Sequence, residues 1–183
     1  CWGKLDQLGI AAIFKRRDTG CPMDALDAMT KRVAHRGPDD AGVEFFRVCG
    51  SRLVRPKTQD SDWSVGLGHR RLSILDLSPA GHQPMCYGDR FWLTYNGEIY
   101  NFLELREELK QLGHSFCSTS DSEVVLAAFA QWGPECFSRF SGMWGLVILD
   151  AVTRTAVFSR DRMGIKPLYL WKSDGLVAFT SEI

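Results

Sequence analysis

The stretch Tyr95-Asn96-Gly97-Glu98-Ile99-Tyr100-Asn101 lies between two runs of different character. The apolar run Phe91-Trp92-Leu93-Thr94 before it is typical of a strand, and Phe102-Leu103-Glu104-Leu105 after it is typical of a helix. A strand that ends in Asn-Gly-Glu places a side-chain amide, an uncovered backbone N–H and a carboxylate at one strand mouth. An amide beside an uncovered N–H can form an oxyanion hole for acyl transfer, so the stretch predicts a site for a polar substrate.

The same stretch has a simpler interpretation. Asn-Gly is the commonest dipeptide of tight turns, and Asn101 followed three residues later by Glu104 is the pattern of a helix cap. Taken alone, the stretch favours the turn. The rest of the chain has to decide between a turn and a site.

The composition favours a single globular domain whose partner is a small molecule or a protein. The chain has 183 residues, of which 45% are hydrophobic, and this is enough to bury a full core. Lys and Arg total 22, as do Asp and Glu, so the balance predicts no nucleic-acid partner and no anionic membrane partner. No apolar run approaches the roughly 20 residues of a membrane helix, and the first residues do not resemble a secretory signal. We therefore predict a cytoplasmic location.

The cysteines and histidines show no metal-ligand spacing. The six cysteines contain no Cys-x-x-Cys pair, and we interpret them as reduced thiols. The four histidines are interpreted as ordinary hydrogen-bonding residues. We predict no metal and no cofactor in this chain.

The first third of the chain shows the patterns of a strand, a helix and a second strand. The run Leu8-Gly9-Ile10-Ala11-Ala12-Ile13-Phe14 predicts a central strand that is buried on both faces. Apolar residues at intervals of three and four over residues 23–33 predict an amphipathic helix that ends near Gly37-Pro38. Residues 43–48 predict the second strand, and residues 49–64 predict a polar surface segment without an assigned function.

Two helices are predicted in the second half of the chain. Residues 102–112 are followed by Gly113, and residues 122–132 are followed by Gly133-Pro134, which are helix stop signals. The second helix begins at Ser120-Asp121-Ser122-Glu123, which is the pattern of a capping box.

Strands are predicted on both sides of these helices. Residues 65–74 form a glycine-spaced apolar run that contains Arg70 and Arg71, and residues 81–85 predict a loop. After residue 143, the pattern predicts an antiparallel meander of short strands on residues 144–149, 156–159, 168–171 and 176–180. Strands separated from helices in this way predict an α+β fold in which two sheets pack together with helices outside.

Five motifs stand in a fixed order and cover the chain from about residue 9 to residue 183. They are His35-Arg36-Gly37-Pro38-Asp39, Arg71-Leu72-Ser73-Ile74, Asn96-Gly97-Glu98-Ile99-Tyr100-Asn101, Ser120-Asp121-Ser122-Glu123 and Arg160-Asp161-Arg162-Met163-Gly164-Ile165-Lys166-Pro167-Leu168-Tyr169. Together they resemble the class II glutamine amidotransferase domain of asparagine synthetases. The resemblance implies an N-terminal-nucleophile hydrolase fold, a four-layer αββα sandwich of two antiparallel sheets. It also implies a domain that hydrolyses glutamine to glutamate and passes the ammonia to an ATP-dependent synthetase domain.

The resemblance implies which residues hold the α-carboxylate of glutamine. Arg71 would bind it bidentately, and the backbone of Leu72, Ser73, Ile74 and Leu75 would line the pocket. A simpler interpretation of Arg71 is an ion pair with a surface carboxylate.

The other end of the substrate has its own implied partners. Asp121 would bind the α-ammonium, with help from Glu98 and the Gly97 backbone. The Nδ2 group of Asn96 and the N–H of Gly97 would face the developing oxyanion. Asp121 at a helix start is also stabilised by the helix dipole without any ligand.

The resemblance breaks at the nucleophile. The family begins Cys-Gly-Ile-Ala-Gly-Ile-Phe, so in this chain Leu8 stands at the cysteine position and Ala12 at the second glycine. The reaction also uses the α-amino group of that cysteine as general base, whereas seven residues precede Leu8 here. Cys1 is the remaining candidate nucleophile, and its terminus would have to return to the site beside Asn96. Three alternatives stay open: a working glutaminase that uses Cys1 or another thiol, a pseudo-glutaminase kept as a structural or glutamine-binding module, and a free-standing regulatory glutamine-binding domain.

The resemblance also implies partners outside this chain. We interpret residues 1–183 as a type 2 glutamine amidotransferase domain of a longer polypeptide whose synthetase domain holds ATP and Mg²⁺ and amidates aspartate or a similar carboxylate. The expected partners are L-glutamine and that synthetase domain, and a homodimer is left open. The stretch from Arg160 to Tyr169 is expected to face the synthetase domain, unless it is only a charged hairpin turn.

Overall fold

The strand Gly9–Lys15 (β1) lies inside the larger of two antiparallel sheets. The structure is a computed structural model that describes residues 8–16, 19–56, 62–71 and 81–183. Residues Ile10 to Ile13 are at most 2% exposed, and β1 pairs with one strand on each side. The prediction of a central strand buried on both faces is therefore confirmed.

The α-helices of the described residues lie outside the two sheets. The helices are α1 (Asp24–Arg32), α2 (Phe102–Gln111) and α3 (Asp121–Trp132). The strands after β1 are β2 (Asp40–Cys49), β3 (Arg52–Val54), β4 (Val65–Arg71), β5 (Met85–Tyr87), β6 (Phe91–Ile99), β7 (Gly142–Asp150), β8 (Thr155–Arg160), β9 (Tyr169–Ser173) and β10 (Leu176–Thr180).

Among the described residues, the strands form a six-stranded sheet in the order β3-β2-β4-β1-β10-β9 and a four-stranded sheet in the order β5-β6-β7-β8. Helix α1 packs on the larger sheet, whereas α3 packs on β5 and β6 of the smaller sheet and α2 packs on α3. One apolar core lies between the two sheets and one lies under each helical layer. The predicted four-layer αββα sandwich is confirmed. Within the described residues, no helix is both long and apolar enough to span a membrane.

The predicted antiparallel meander after residue 143 is wrong. Strands β7 and β8 belong to the smaller sheet, but β9 and β10 belong to the larger one. The chain changes sheets in the loop after β8, where Asp161 accepts hydrogen bonds from four backbone N–H groups. Their donors are Trp144, Met163, Ile165 and Lys166, at 2.9–3.2 Å. These bonds turn the chain away from β7, and hydrophobic periodicity carries no sign of them.

Two short strands were missed. Strand β3 lies in the segment interpreted as a polar surface excursion, and β5 lies in and after the predicted loop at residues 81–85. Each has only three residues, which is too few for an alternating pattern to be recognised. Strand β3 is still anchored in the core, because Leu53 is 6% exposed and its N–H donates to the Ala151 carbonyl at 2.7 Å.

The predicted helix caps have different outcomes. Ser120 caps α3, since its hydroxyl accepts the N–H of Glu123 at 3.4 Å, but the Glu123 carboxylate accepts from the N–H groups of Cys117 and Ser118. Asn101 is the N-cap residue of α2, as the pattern indicated, but its side chain makes no capping hydrogen bond. Its side chain instead joins the segment before β7, because Nδ2 donates to the Arg139 carbonyl and Oδ1 accepts from the Ser141 N–H.

Two buried hydrogen bonds join the sheets face to face. The Thr94 hydroxyl donates to the Gly68 carbonyl at 3.0 Å, and His69 Nε2 lies 3.0 Å from the Tyr95 carbonyl. A carbonyl oxygen only accepts, so His69 carries its proton on Nε2. Burial lowers the pKa of His69 to about 4, and the imidazole is therefore neutral in the folded protein near pH 7.

We expect His69 to make the fold sensitive to acid. An unfolded histidine binds a proton below a pH of about 6.5, whereas the folded one resists protonation down to about 4, so stability falls as the pH drops between these values. The expected loss is about 3 kcal/mol over that range, measured by urea unfolding at each pH. His69→Gln should have a flatter profile. The exposed His35→Gln should keep the wild-type slope, and identical slopes for all three proteins would contradict the assignment.

We expect Asp161→Asn to destabilise the fold, because an amide offers one acceptor oxygen in place of a charged carboxylate. A loss of about 2 kcal/mol in the free energy of unfolding is the expected size for weakened hydrogen bonds to a buried charge. Asp174→Asn is the matched control, since Asp174 lies in the exposed turn between β9 and β10. Equal urea midpoints for the two variants would show that Asp161 does not organise the loop.

Candidate functional site

Three strand segments meet at one end of the sandwich. Gly9 of β1 pairs with Arg70 of β4, so Leu8 and Arg71 lie at the same sheet end. Two hydrogen bonds join successive residues of β4 to successive residues of β6. The first is between Gly68 and Thr94, and the second is between His69 and Tyr95. The next residue of β6 is Asn96. The start of β1, the end of β4 and the Asn-Gly-Glu segment of β6 are therefore brought together.

Asn96 is inside a strand and is fully buried. It pairs with Gly145 of β7, so the interpretation of Asn96-Gly97 as a tight turn is wrong. Side chains two residues apart share a sheet face. Because Thr94 contacts β4, Asn96 also faces the larger sheet. Neither Nδ2 nor Oδ1 of Asn96 has a hydrogen-bond partner among the residues that the structure describes. A buried amide of this kind costs about 1–3 kcal/mol until a ligand satisfies it.

Gly97 is required by packing as well as by the proposed site. A Cβ here would lie 2.7 Å from Trp144 Cα on β7, which is closer than real Cβ atoms come. Its N–H has a defined direction. The N–H groups of Tyr95 and Ile99 point away from β7, since Gln83 Oε1 accepts the first at 2.8 Å and Asp121 Oδ2 the second at 3.0 Å. Gly97 lies between them in the same alternation, so its N–H points to the same side, beyond the end of β5.

Asp121 is the first residue of α3 and contacts β6 directly. Its Oδ2 atom accepts from the Tyr95 hydroxyl at 2.7 Å and from the Ile99 N–H at 3.0 Å. Burial raises the pKa of the Asp121 carboxyl, and the hydrogen bonds from Tyr95 and Ile99 oppose that shift. Asp121 therefore does more than stabilise a helix end, because it fixes α3 to the strand that carries Asn96.

Gln83 is a second connection between β6 and α3 that was not predicted from the sequence. Its Oε1 accepts the Tyr95 N–H, and its Nε2 donates to the Ser122 hydroxyl at 3.3 Å. Gln83 is 4% exposed. A glutamine in a predicted loop gives no sign of this role.

Arg71 ends β4 opposite Asp40 of β2. Its guanidinium lies against Gly81, where a Cβ would collide with it. Asp40 Oδ2 is 2.7 Å from His82 Nδ1. Burial alone would raise the pKa of Asp40, but the hydrogen bond to His82 and the positive charges of His82 and Arg71 lower it. The site end of the larger sheet thus carries the cationic Arg71 with the Asp40 carboxylate nearby.

The motif His35-Arg36-Gly37-Pro38-Asp39 surrounds these strand ends. Arg36 is 7% exposed and its Nη1 donates to the Ser181 carbonyl, while the Ser181 hydroxyl accepts the Ile10 N–H at 3.1 Å. Arg36 therefore anchors Ser181, whose hydroxyl in turn bonds the start of β1. Leu8 is partly buried at this position.

Several predicted site residues lie outside the described part of the chain. These are Cys1, Leu72, Ser73, Ile74 and Leu75. The described residues place Asn96 and Gly97 between Tyr95 and Ile99, both of which donate to Asp121, and place Arg71 at the same end of the sandwich. Glu98 follows on β6, opposite Met143.

Comparison with models of protein families identifies the family to which this chain belongs. The model of the glutamine amidotransferase domain matches residues 8–183. The chain belongs to the glutamine amidotransferase domain family. The resemblance read from the five motifs is confirmed.

The curated relatives of this glutamine amidotransferase domain are much longer than the chain. Putative asparagine synthetase [glutamine-hydrolyzing] 2 of Methanocaldococcus jannaschii is 36% identical over 87% of the chain and 31% of its own length. Asparagine synthetase [glutamine-hydrolyzing] 1 of Bacillus subtilis is 36% identical over 95% of the chain and 26% of its own length. A putative asparagine synthetase [glutamine-hydrolyzing] of Mycobacterium bovis is 39% identical over 87% of the chain and 24% of its own length. The chain spans about a quarter to a third of these relatives.

A solved structure shows the same fold. The glutamine phosphoribosylpyrophosphate amidotransferase of Bacillus subtilis, solved with ADP and GMP, superposes with a TM-score of 0.71 at 19% sequence identity. The match covers 95% of the glutamine amidotransferase domain and 42% of that chain. Among the residues described here, no group of three or more His, Cys, Asp or Glu side chains could hold a metal ion.

We expect Asn96→Leu to stabilise the ligand-free domain while removing a binding group. Leucine has a similar shape and carries no unsatisfied polar atoms, so the free energy of unfolding should rise by about 1 kcal/mol in urea titrations. Asn101→Leu is the matched control, because both polar atoms of Asn101 are hydrogen-bonded and its loss should lower stability by a similar amount. A large loss of stability in Asn96→Leu would mean that the amide has a structural partner.

Proposed function

We propose that this glutamine amidotransferase domain binds L-glutamine between the ends of β1, β4 and β6. The observation that carries the proposal is the buried amide of Asn96, which has no partner among the described residues and lies beside the outward N–H of Gly97. These are two donors of the kind that stabilise an oxyanion in acyl transfer, and removing one such donor typically costs a factor of about 10²–10³ in rate. Family membership supports the choice of substrate.

The remaining groups match the two charges of free glutamine. Arg71 binds the α-carboxylate as a planar fork, and the backbone of residues 72–75 lines that side of the pocket. Asp121 binds the α-ammonium, with Glu98 and the Gly97 carbonyl nearby. The oppositely charged groups lie on different elements, Arg71 on β4 and Asp121 on α3, so the substrate bridges the larger sheet and the outer helix.

For hydrolysis, the domain needs a thiol at the mouth of the pocket. In our proposal the thiol is that of Cys1; where Cys1 carries a free α-amino group, that amine takes the thiol proton and passes it to the leaving nitrogen. Attack on the amide carbonyl carbon forms the C–S bond and breaks the C–N bond, which releases ammonia. Water then cleaves the thioester to give glutamate. The ammonia serves a synthetase domain of the same polypeptide, which uses ATP and Mg²⁺ to amidate aspartate or a similar carboxylate.

A second candidate function follows from Leu8. A leucine at the start of β1 occupies the position where the family resemblance places the nucleophile, and it cannot attack an amide. The domain would then bind glutamine without hydrolysing it and serve as a structural or glutamine-binding module.

A cytoplasmic location and a homodimer also stay predictions.

One set of assays separates these functions. We expect calorimetry to detect binding of L-glutamine to the purified chain. Arg71→Ala should weaken this binding at least tenfold, because the α-carboxylate of glutamine loses its charged partner. Arg52→Ala, at an exposed arginine of β3, is the matched control and should bind normally.

The nucleophile is tested by glutamate release from glutamine. Release that is lost in Cys1→Ala but kept in the exposed control Cys49→Ala assigns hydrolysis to Cys1. Binding without release assigns the glutamine-binding module. Absence of both binding and release would falsify the proposed site.

A further inference from the structure

All three polar groups of Tyr95 are bonded to different segments of the chain. Its N–H donates to Gln83 Oε1, its carbonyl accepts from His69 Nε2, and its hydroxyl donates to Asp121 Oδ2 at 2.7 Å. Tyr95 is 1% exposed. The residue therefore connects the loop before β5, the larger sheet and the start of α3, directly beside Asn96.

The hydroxyl is the unexpected part of this arrangement. The ring of Tyr95 lies in the apolar core between the smaller sheet and its helices, where phenylalanine would pack equally well. Placing a hydroxyl in a core is unfavourable unless it is hydrogen-bonded. Here the hydroxyl reaches Asp121, the main carboxylate that the proposed function assigns to the substrate ammonium.

We propose that Tyr95 is a positioning residue that fixes the Asp121 carboxylate and thereby makes the pocket selective for amides that carry an α-ammonium group. The inference rests on the proposed function, because it explains how the proposed substrate is distinguished from other amides. The hydroxyl and the Ile99 N–H both bond Oδ2, so they set the rotation of the carboxylate relative to β6.

Fixing the carboxylate has two consequences for binding. An acceptor that is already oriented loses less rotamer freedom when the ligand arrives. The hydrogen bond from Tyr95 also favours the charged form, since it lowers the pKa of an Asp121 carboxyl that burial raises. Burial and the charge of Asp121 raise the pKa of Tyr95 well above its ordinary value, so the hydroxyl keeps its proton and donates.

The test compares two ligands on Tyr95→Phe in the full chain, with Cys1→Ala added so that hydrolysis does not interfere. L-glutamine carries the α-ammonium group. The analogue 5-amino-5-oxopentanoate keeps the carboxylate and the side-chain amide but lacks the α-amino group. We expect Tyr95→Phe to weaken L-glutamine binding about tenfold, the size expected for a hydrogen bond to a charged group, and to change binding of the analogue less than twofold. Tyr100→Phe is the matched control, because Tyr100 is 60% exposed.

The pH dependence of L-glutamine binding is a second measurement, and a purely structural role of Tyr95 would not change it. Loss of the hydroxyl should shift the acid limb of L-glutamine binding to higher pH, because Asp121 then protonates more easily. The other titratable groups that act on Tyr95 are His69, which donates to its carbonyl, and Glu98 and Tyr100, and none of the three is changed in this variant.

A double-mutant comparison keeps the inference testable if Tyr95→Phe folds poorly. Asp121→Asn alone should remove the preference for L-glutamine over the analogue, and adding Tyr95→Phe should cost no further selectivity. An equal loss for both ligands, or no loss for either, would overturn the positioning role while leaving the proposed function intact. If the parent chain binds neither ligand, both proposals fail.

Discussion

The crossing of β6 over β4 is the constraint on which the rest of the structure depends. Apolar contacts between two sheets tolerate small sliding movements, because they have little directional preference. The bonds from Thr94 to Gly68 and from His69 to Tyr95 are directional and fully buried, so they select one relative position of the sheets. That position places Asn96 at the same end as Arg71 and the start of β1. The geometry of the site is therefore a result of how the core is joined.

Strand β6 presents polar groups in three directions. Its side chains alternate between the two faces of the sheet, and the N–H groups of alternate residues point to the sheet edge. Even-numbered side chains such as Thr94 and Asn96 face the larger sheet, and Tyr95 faces the helical layer. The N–H groups of alternate residues point out of the sheet edge that β5 leaves uncovered. One regular strand can thus hold an amide, a hydroxyl and an uncovered N–H in fixed relation, without a specialised loop.

The sequence predicts the parts of this fold whose signal is local. The small apolar run of β1 and the stop signals after α2 and α3 were correctly interpreted, and the five motifs indicated the family. Pairing was harder, since the change of sheets after β8 depends on backbone bonds to Asp161. Tyr95 and Gln83 were missed because a tyrosine in an apolar run and a glutamine in a loop have no distinctive spacing. The role of Cys1 stays a prediction, because it lies outside the described residues.

The Asn96 amide, which has no partner among the described residues, gives the proposed ligand an effect on the stability of the fold. Any molecule that binds only the folded state shifts the folding equilibrium towards it by mass action, in proportion to how far its concentration exceeds its dissociation constant. At the proposed site a ligand would also remove the penalty of an Asn96 amide that has no partner among the described residues. An occupied domain then opens less often and exposes its core to proteases less often. The abundance of the protein in a cell would follow the concentration of its substrate without any dedicated regulator.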